Sequence, residues 1–230
     1  MTINKYSNIL TVVLVILAVA ILTGGGILFY NYVIKPNKDR ERKIEAIEEF
    51  DKEFKDDDKD IEEEPEQQEE EEEQQEEEDE KKQGDSIALK YTKKKYYNNF
   101  PMIGYITIPK TNVKEPILET VTPESLNTAV AVLYPSNPIL NEPGNVVIIG
   151  HNYKNGTFFS NNKKLVVGDQ FQIKDTTGRS LIYTIYQKFI TTDQDTSFYN
   201  RDTNGAVEVT LSTCTDDAKQ RIIILARVEQ

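Results

Sequence analysis

Between Tyr6 and Ile34 the chain carries no charged side chain, and ILTVVLVILAVAILTGGGILFYNYVI, from Ile9 to Ile34, is almost wholly apolar. A helix needs about 20 such residues to cross ~30 Å of hydrocarbon. Ile9–Ile34 is therefore expected to be a transmembrane signal-anchor helix behind a short flank, residues 1–8. A cleaved signal peptide is the competing reading, since Ala18-Val19-Ala20 offers small residues, but the apolar run continues past the length of an ordinary signal core. Only Lys5 precedes the span, whereas Lys35, Lys38, Arg40, Arg42 and Lys43 follow it. Taken alone, that asymmetry puts the carboxyl side in the cytoplasm.

Residues 35–85 have the opposite character. Residues 51–80 hold 20 Asp and Glu against 3 Lys, a local balance of −17, so of the net charge of −12 the rest of the chain carries +5. Such a segment buries too little apolar surface to offset the entropy of ordering. It reads as an acidic, mostly disordered linker, a solvated spacer rather than a binding tail, with helix only near Lys43–Phe54. The acidity thus belongs to a segment and not to a globular surface. No basic stripe interleaved with aromatics supports nucleic-acid binding. One Cys excludes an internal disulfide framework, and one Cys with one His cannot make a Cys/His zinc site.

From Ser86 onward the chain changes to short Val, Ile, Tyr, Phe and Thr runs broken by Pro, Gly, Asn and Asp. Residues 86–230 are enough for one core. Expected strands are Ile103–Ile108, Pro116–Glu119, Asn145–Gly150, Gln170–Asp175, Ser180–Ile190, Ala206–Thr213 and Arg221–Val228. Turn signals such as Asn155-Gly156 and Thr177-Gly178 point to an all-β sandwich or barrel. Helix is expected only at Pro123–Val130, with Thr122 as cap and Pro123 in its first turn. No internal repeat is present.

His151, Cys214 and Arg221 carry the candidate chemistry. His151 follows the run Val146–Gly150 and opens a polar loop; Cys214 ends the run Val207–Thr213; Arg221 begins the run Ile222–Ala226. If the last two strands form a hairpin, Arg221 returns beside Cys214. A thiolate that attacks an acyl carbon, an imidazolium that protonates the leaving amine and a cation that holds the oxyanion make a complete acyl-transfer set. Each residue also has a plain alternative: a buried thiol, a satisfied histidine, a solvated arginine.

The run TLSTC, Thr210–Cys214, with Arg221 at the start of the last strand, resembles the TLxTC…R signature of sortases, the membrane-anchored cysteine transpeptidases of Gram-positive bacteria. VVIIGHN (146–152) is similar to that family's histidine segment and GYITIPKTNVKEPIL (104–118) to its opening strands, so the likeness covers about 98–228. It implies an eight-stranded β-barrel with a few short helices over residues 86–230. It further implies Cys214 as nucleophile, His151 as general acid/base and Arg221 as the substrate- or oxyanion-holding cation, with Arg227 the rival arginine. The activity implied is cleavage of an LPxTG-like sorting signal after Thr through a thioacyl enzyme, and transfer to a cell-wall amine. The partners implied are secreted proteins with C-terminal sorting signals and a cell-wall precursor amine. No cofactor is implied, and no metal.

The resemblance also implies an extracellular catalytic domain on a single-pass membrane protein, and this is preferred over the flanking-charge rule. TLSTC is class B-like, yet the stretch between Ile190 and Ala206 is short for that class's extra helix. No second span follows Arg227 and no Asp-Pro-aromatic lid precedes the first strand, which favours wall anchoring over pilin polymerisation. Asp193, Asp195 and Asp202 are the carboxylates a calcium ion would use, although solvated loop positions are the plainer reading. A membrane-tethered cysteine peptidase, a pilin-polymerising sortase and a non-catalytic binding module are the remaining alternatives.

Overall fold

The computed structural model describes residues 3–54, 95–135 and 140–229, and it divides into two compact units, Met1–Glu45 and Ala46–Gln230. The first holds α1 (Ile3–Phe29), a π-helical turn, Tyr30–Ile34, and the start of α2 (Lys35–Glu53), whose residues from Ala46 onward belong to the second. The apolar side chains from Leu10 to Val33 lie exposed. Within it the Thr23 hydroxyl donates to the carbonyls of Val19 and Ala20, so its polar group is satisfied inside the helix. This apolar helix fits a single-pass membrane anchor.

The linker expected over 35–85 is helical from Lys35 to Glu53. The reason lies in four apolar side chains. Ala46, Ile47, Phe50 and Phe54 recur at helical spacing and are buried in the second unit's core. Phe50 meets the Tyr105 ring edge-on at 6.0 Å. Asp51 accepts from the Tyr105 hydroxyl at 3.0 Å and from Lys174 Nζ at 3.0 Å, and Lys95 Nζ pairs with Glu49 at 2.8 Å. The rest of the expected linker, with most of its acidic block, lies outside the described residues.

Among the described residues nine strands follow: β1 (Lys95–Tyr97), β2 (Phe100–Ile108), β3 (Val113–Leu118), β4 (Val130–Pro135), β5 (Gly144–Ile149), β6 (Gln170–Asp175), β7 (Ser180–Thr191), β8 (Val207–Cys214) and β9 (Arg221–Val228). Their order is β1-β2-β3-β4-β5-β8-β9-β7-β6, and β6 pairs back onto β2. Strands β2 to β9 thus close the eight-stranded barrel expected from the resemblance, and β1 is appended at β2.

Three elements differ from the expectation: a shorter helix and the additional strands β4 and β1. The helix α3 spans only Pro123–Leu126, one turn held by a reciprocal cap in which Ser125 N–H donates to Thr122 Oγ1 at 3.0 Å and Thr122 N–H to Ser125 Oγ at 2.7 Å. It stops there because Val130 and Val132 belong to β4, where Val130 pairs with Ile117 of β3 in parallel and Val132 with Ile148 of β5. The three-residue β1 was also not expected.

The strands β5, β8 and β9 read as continuous apolar runs because both of their faces are covered. Val146, Ile148, Val209, Leu211, Ile222 and Ile224 fill the barrel interior. On the outer face Val147, Ile223 and Leu225 form a second cluster with Phe198, which comes from the segment joining β7 to β8.

Candidate active site

Strand polarity brings the three sequence candidates to one rim. β5 and β8 are parallel, with Ile149 beside Ser212, so the residues after both strands leave the barrel at the same end. β8 and β9 are antiparallel with Cys214 opposite Arg221, which returns the first residue of β9 to that end. β7 also ends there, because Thr191 lies opposite Arg221.

A cleft of about 230 Å³ opens at this rim, lined by His151, Cys214 and Arg221 together with Leu126, Ile149, Asp193, Asp195, Phe198 and Tyr199. All three candidates are half-buried. Arg221 Nη1 donates to Cys214 Sγ at 3.1 Å, so a cation sits where a sulfur anion would need one. Arg227, the rival arginine, lies over the Tyr186 ring at 5.2 Å and does not line the cleft.

His151 is held from three directions. Gly150 before it packs so tightly that an added Cβ would come within 2.8 Å of Val130 Cγ1 and 2.9 Å of the Phe159 ring. The Gly150 carbonyl accepts from Thr213 Oγ1 at 2.7 Å, which ties the root of the histidine loop to the residue before Cys214. Next to the imidazole lies the Tyr153 ring, centroids 4.8 Å apart, and the Tyr153 hydroxyl donates to Asn127 Oδ1 at 3.0 Å. Burial lowers the His151 pKa below its ordinary value of 6.5, since a charged ring loses water there.

Asn152 completes the link between the loops. Its Nδ2 donates to the Cys214 carbonyl at 3.0 Å and to Asp216 Oδ1 at 3.0 Å, while Asp216 pairs with Lys163 at 2.6 Å. In the sequence Asn152 stands inside the GHN run with no role assigned to it. Nothing local betrays one, because its acceptor lies 62 residues away.

Two of the three loop carboxylates considered for calcium line the cleft. Asp195 is engaged locally, accepting from Ser197, whose N–H lies at 2.8 Å, and from Thr191 Oγ1 at 2.6 Å, contacts that hold its carboxyl below the usual range. Asp202 accepts from Asn204 N–H at 2.8 Å. Among the described residues no group of three or more His, Cys, Asp or Glu is arranged to hold a metal ion.

A thiol beside a guanidinium, with an imidazole on the same cleft, is equipped for nucleophilic acyl transfer. Comparison with known proteins points the same way. The family model described as a Sortase domain matches residues 106–229. Among solved structures the chain is similar to a Clostridium perfringens sortase D5 transpeptidase, at 26% identity and TM-score 0.58 over 83% of this chain and 99% of that one. It is similar to a lid mutant of sortase A from Corynebacterium diphtheriae, at 25% identity and TM-score 0.52 over 57% of this chain and 72% of that one. A pilus-related sortase C of Group B Streptococcus is 28% identical with TM-score 0.50, over 56% of this chain and 68% of that one. No curated protein matches the chain.

Proposed function

The chain belongs to the sortase family of membrane-associated cysteine transpeptidases, and we propose that it cleaves an LPxTG-like sorting signal after Thr and transfers the new carboxyl end to a cell-wall amine. The observation that carries this reading is the 3.1 Å contact between Arg221 Nη1 and Cys214 Sγ in a cleft that His151 also lines.

In the proposed reaction the signal peptide lies in the cleft with its Thr carbonyl against Sγ. The Cys214 thiolate attacks that carbon, and Arg221 balances the charge that develops on the carbonyl oxygen. The C–N bond to the next residue then breaks. His151, in the minor imidazolium form that its lowered pKa leaves at neutral pH, gives its proton to the departing amine. The result is a thioester on Cys214, a free peptide amine and a neutral imidazole. An incoming primary amine attacks the thioester, His151 takes the proton it sheds, and the thiolate leaves with the imidazolium restored. All bonds and protons balance without a cofactor.

The exported substrates of such a reaction require the catalytic unit on the outer side of the membrane. We assign that orientation despite the basic residues from Lys35 to Lys43, whose effect alone would be the reverse.

The test is product partition. The enzyme is incubated with a sorting-signal peptide, with and without a primary amine that mimics either a wall peptide or a lysine side chain. A ligated product that grows with amine concentration supports transfer. Hydrolysis alone, unaffected by either amine, would make the protein a peptidase and end the proposal.

A further inference from the structure

Asn145 lies at the opposite end of β5 from His151, on the outer face of the barrel and fully buried. Its side chain uses every hydrogen-bonding site an amide has. Nδ2 donates to two consecutive backbone carbonyls, Phe198 at 3.0 Å and Tyr199 at 2.9 Å. Oδ1 accepts from Thr210 Oγ1 at 2.8 Å and from Arg201 Nη2 at 3.1 Å. Arg201 in turn pairs with the buried Glu208 at 2.7 Å and donates to the Tyr186 hydroxyl at 2.8 Å, and that hydroxyl donates to Glu208 at 2.8 Å.

Asn145 and Thr210 stand on the two strands that lead into His151 and end at Cys214, and Phe198 and Tyr199 line the cleft. One amide therefore joins the histidine strand, the cysteine strand and the cleft wall. The wall belongs to an irregular stretch between β7 and β8, and its position depends on side chains that grip its backbone. An aspartate of the same shape would turn an oxygen toward two carbonyls, and no other residue type presents two donors and two acceptors from so short a stem.

We propose that Asn145 is a positioning residue for peptide binding: it holds the Phe198-Tyr199 wall in register with Cys214, so that the cleft is pre-shaped for the peptide rather than assembled by it. This rests on the reading that the Cys214 cleft takes a sorting signal, and it concerns binding, not the chemistry at sulfur.

The experiment uses Asn145→Asp and the milder Thr210→Val, each compared with wild type in peptide cleavage, in alkylation of Cys214 by iodoacetamide and in amide hydrogen exchange. For Asn145→Asp the expected result is a KM higher by about 10-fold, with kcat and the alkylation rate each within about 2-fold. For Thr210→Val a KM higher by about 3-fold is expected, and in both variants exchange at residues 198–201 accelerates while β8 and β9 stay protected. If Asn145→Asp does not fold, Thr210→Val decides alone. KM unchanged in the folded variants overturns the proposal. So does a loss in which kcat, alkylation and melting temperature fall together, because Asn145 would then serve folding only. A wild-type enzyme that takes up no peptide, while its Cys214 still reacts with iodoacetamide, brings down the functional reading itself.

Discussion

Cys214 and Arg221 flank the turn of the final hairpin and pair across it, with the guanidinium Nη1 3.1 Å from the thiol sulfur. A planar fork fixed at a strand end keeps one nitrogen on the sulfur and leaves others for an oxyanion. A lysine ammonium in the same place is a point charge on a flexible stem. Arg221→Lys is expected to lower kcat/KM for peptide cleavage by about 100-fold. The melting temperature should stay close to wild type, since Arg221 is only half-buried. Activity within about 3-fold of wild type would remove Arg221 from the reaction.

His151 is the chain's single histidine, so its titration can be followed without ambiguity. Burial disfavours the charged ring, so the folded-state pKa lies below 6.5. A group depressed in this way binds fewer protons when folded than when unfolded across the interval between the two values. It therefore costs the fold nothing above pH 6.5 and removes stability as pH falls from there through the folded value. The imidazole resonances of Cys214→Ala should titrate with a midpoint below 6.5, and His151→Gln should lose less stability than wild type on acidification over that interval. A midpoint at or above 6.5 contradicts the desolvated site.

At Gly150 an added methyl would press on Val130 at 2.8 Å and on Phe159 at 2.9 Å, both buried. Gly150→Ala should cost about 1–3 kcal/mol in denaturant unfolding. Peptide cleavage should fall further than stability explains, because the strain lies one residue from His151. Equal stability and activity would mean the core yields there.

Asn152 bridges the histidine loop and the Cys214 carbonyl. Asn152→Ala removes two hydrogen bonds from half-exposed groups, and kcat/KM is expected to drop about 10-fold at nearly unchanged melting temperature. An unchanged kcat/KM would show that the two loops hold their spacing without it.

Phe50, fully buried against the barrel, makes the end of α2 part of the catalytic unit's core. Phe50→Ala should destabilise the unit by about 3 kcal/mol. Residues 86–230 produced alone should unfold at lower denaturant than residues 46–230. Equal midpoints would show the docked helix to be an ornament.

That helix also marks the limit of what the sequence discloses. Phe50 and Phe54 stand among Glu, Asp and Lys, and their periodicity is weak until the barrel face that receives them is known. The same holds for β4. The cap at Thr122 was legible, but where the helix stops depends on strands on either side pairing with Val130 and Val132. The strands β5 to β9 were legible because their apolar runs are bounded by turn residues. That Cys214, His151 and Arg221 meet at one cleft was legible because each stands beside such a run and because the motif ties them together. Asn145 was not, since a lone polar residue at a strand's start says nothing until Phe198 and Tyr199, 53 and 54 residues on, fold back over it.

The proposed reaction passes through a covalent bond to one sulfur. Brief incubation of residues 46–230 with a sorting-signal peptide, followed by intact-protein mass spectrometry and site mapping, looks for it directly. The predicted species is the protein plus the peptide portion ending in Thr, attached at Cys214 and discharged by a primary amine. Peptide cleavage without that adduct, or an equal rate of cleavage by Cys214→Ala, would contradict it.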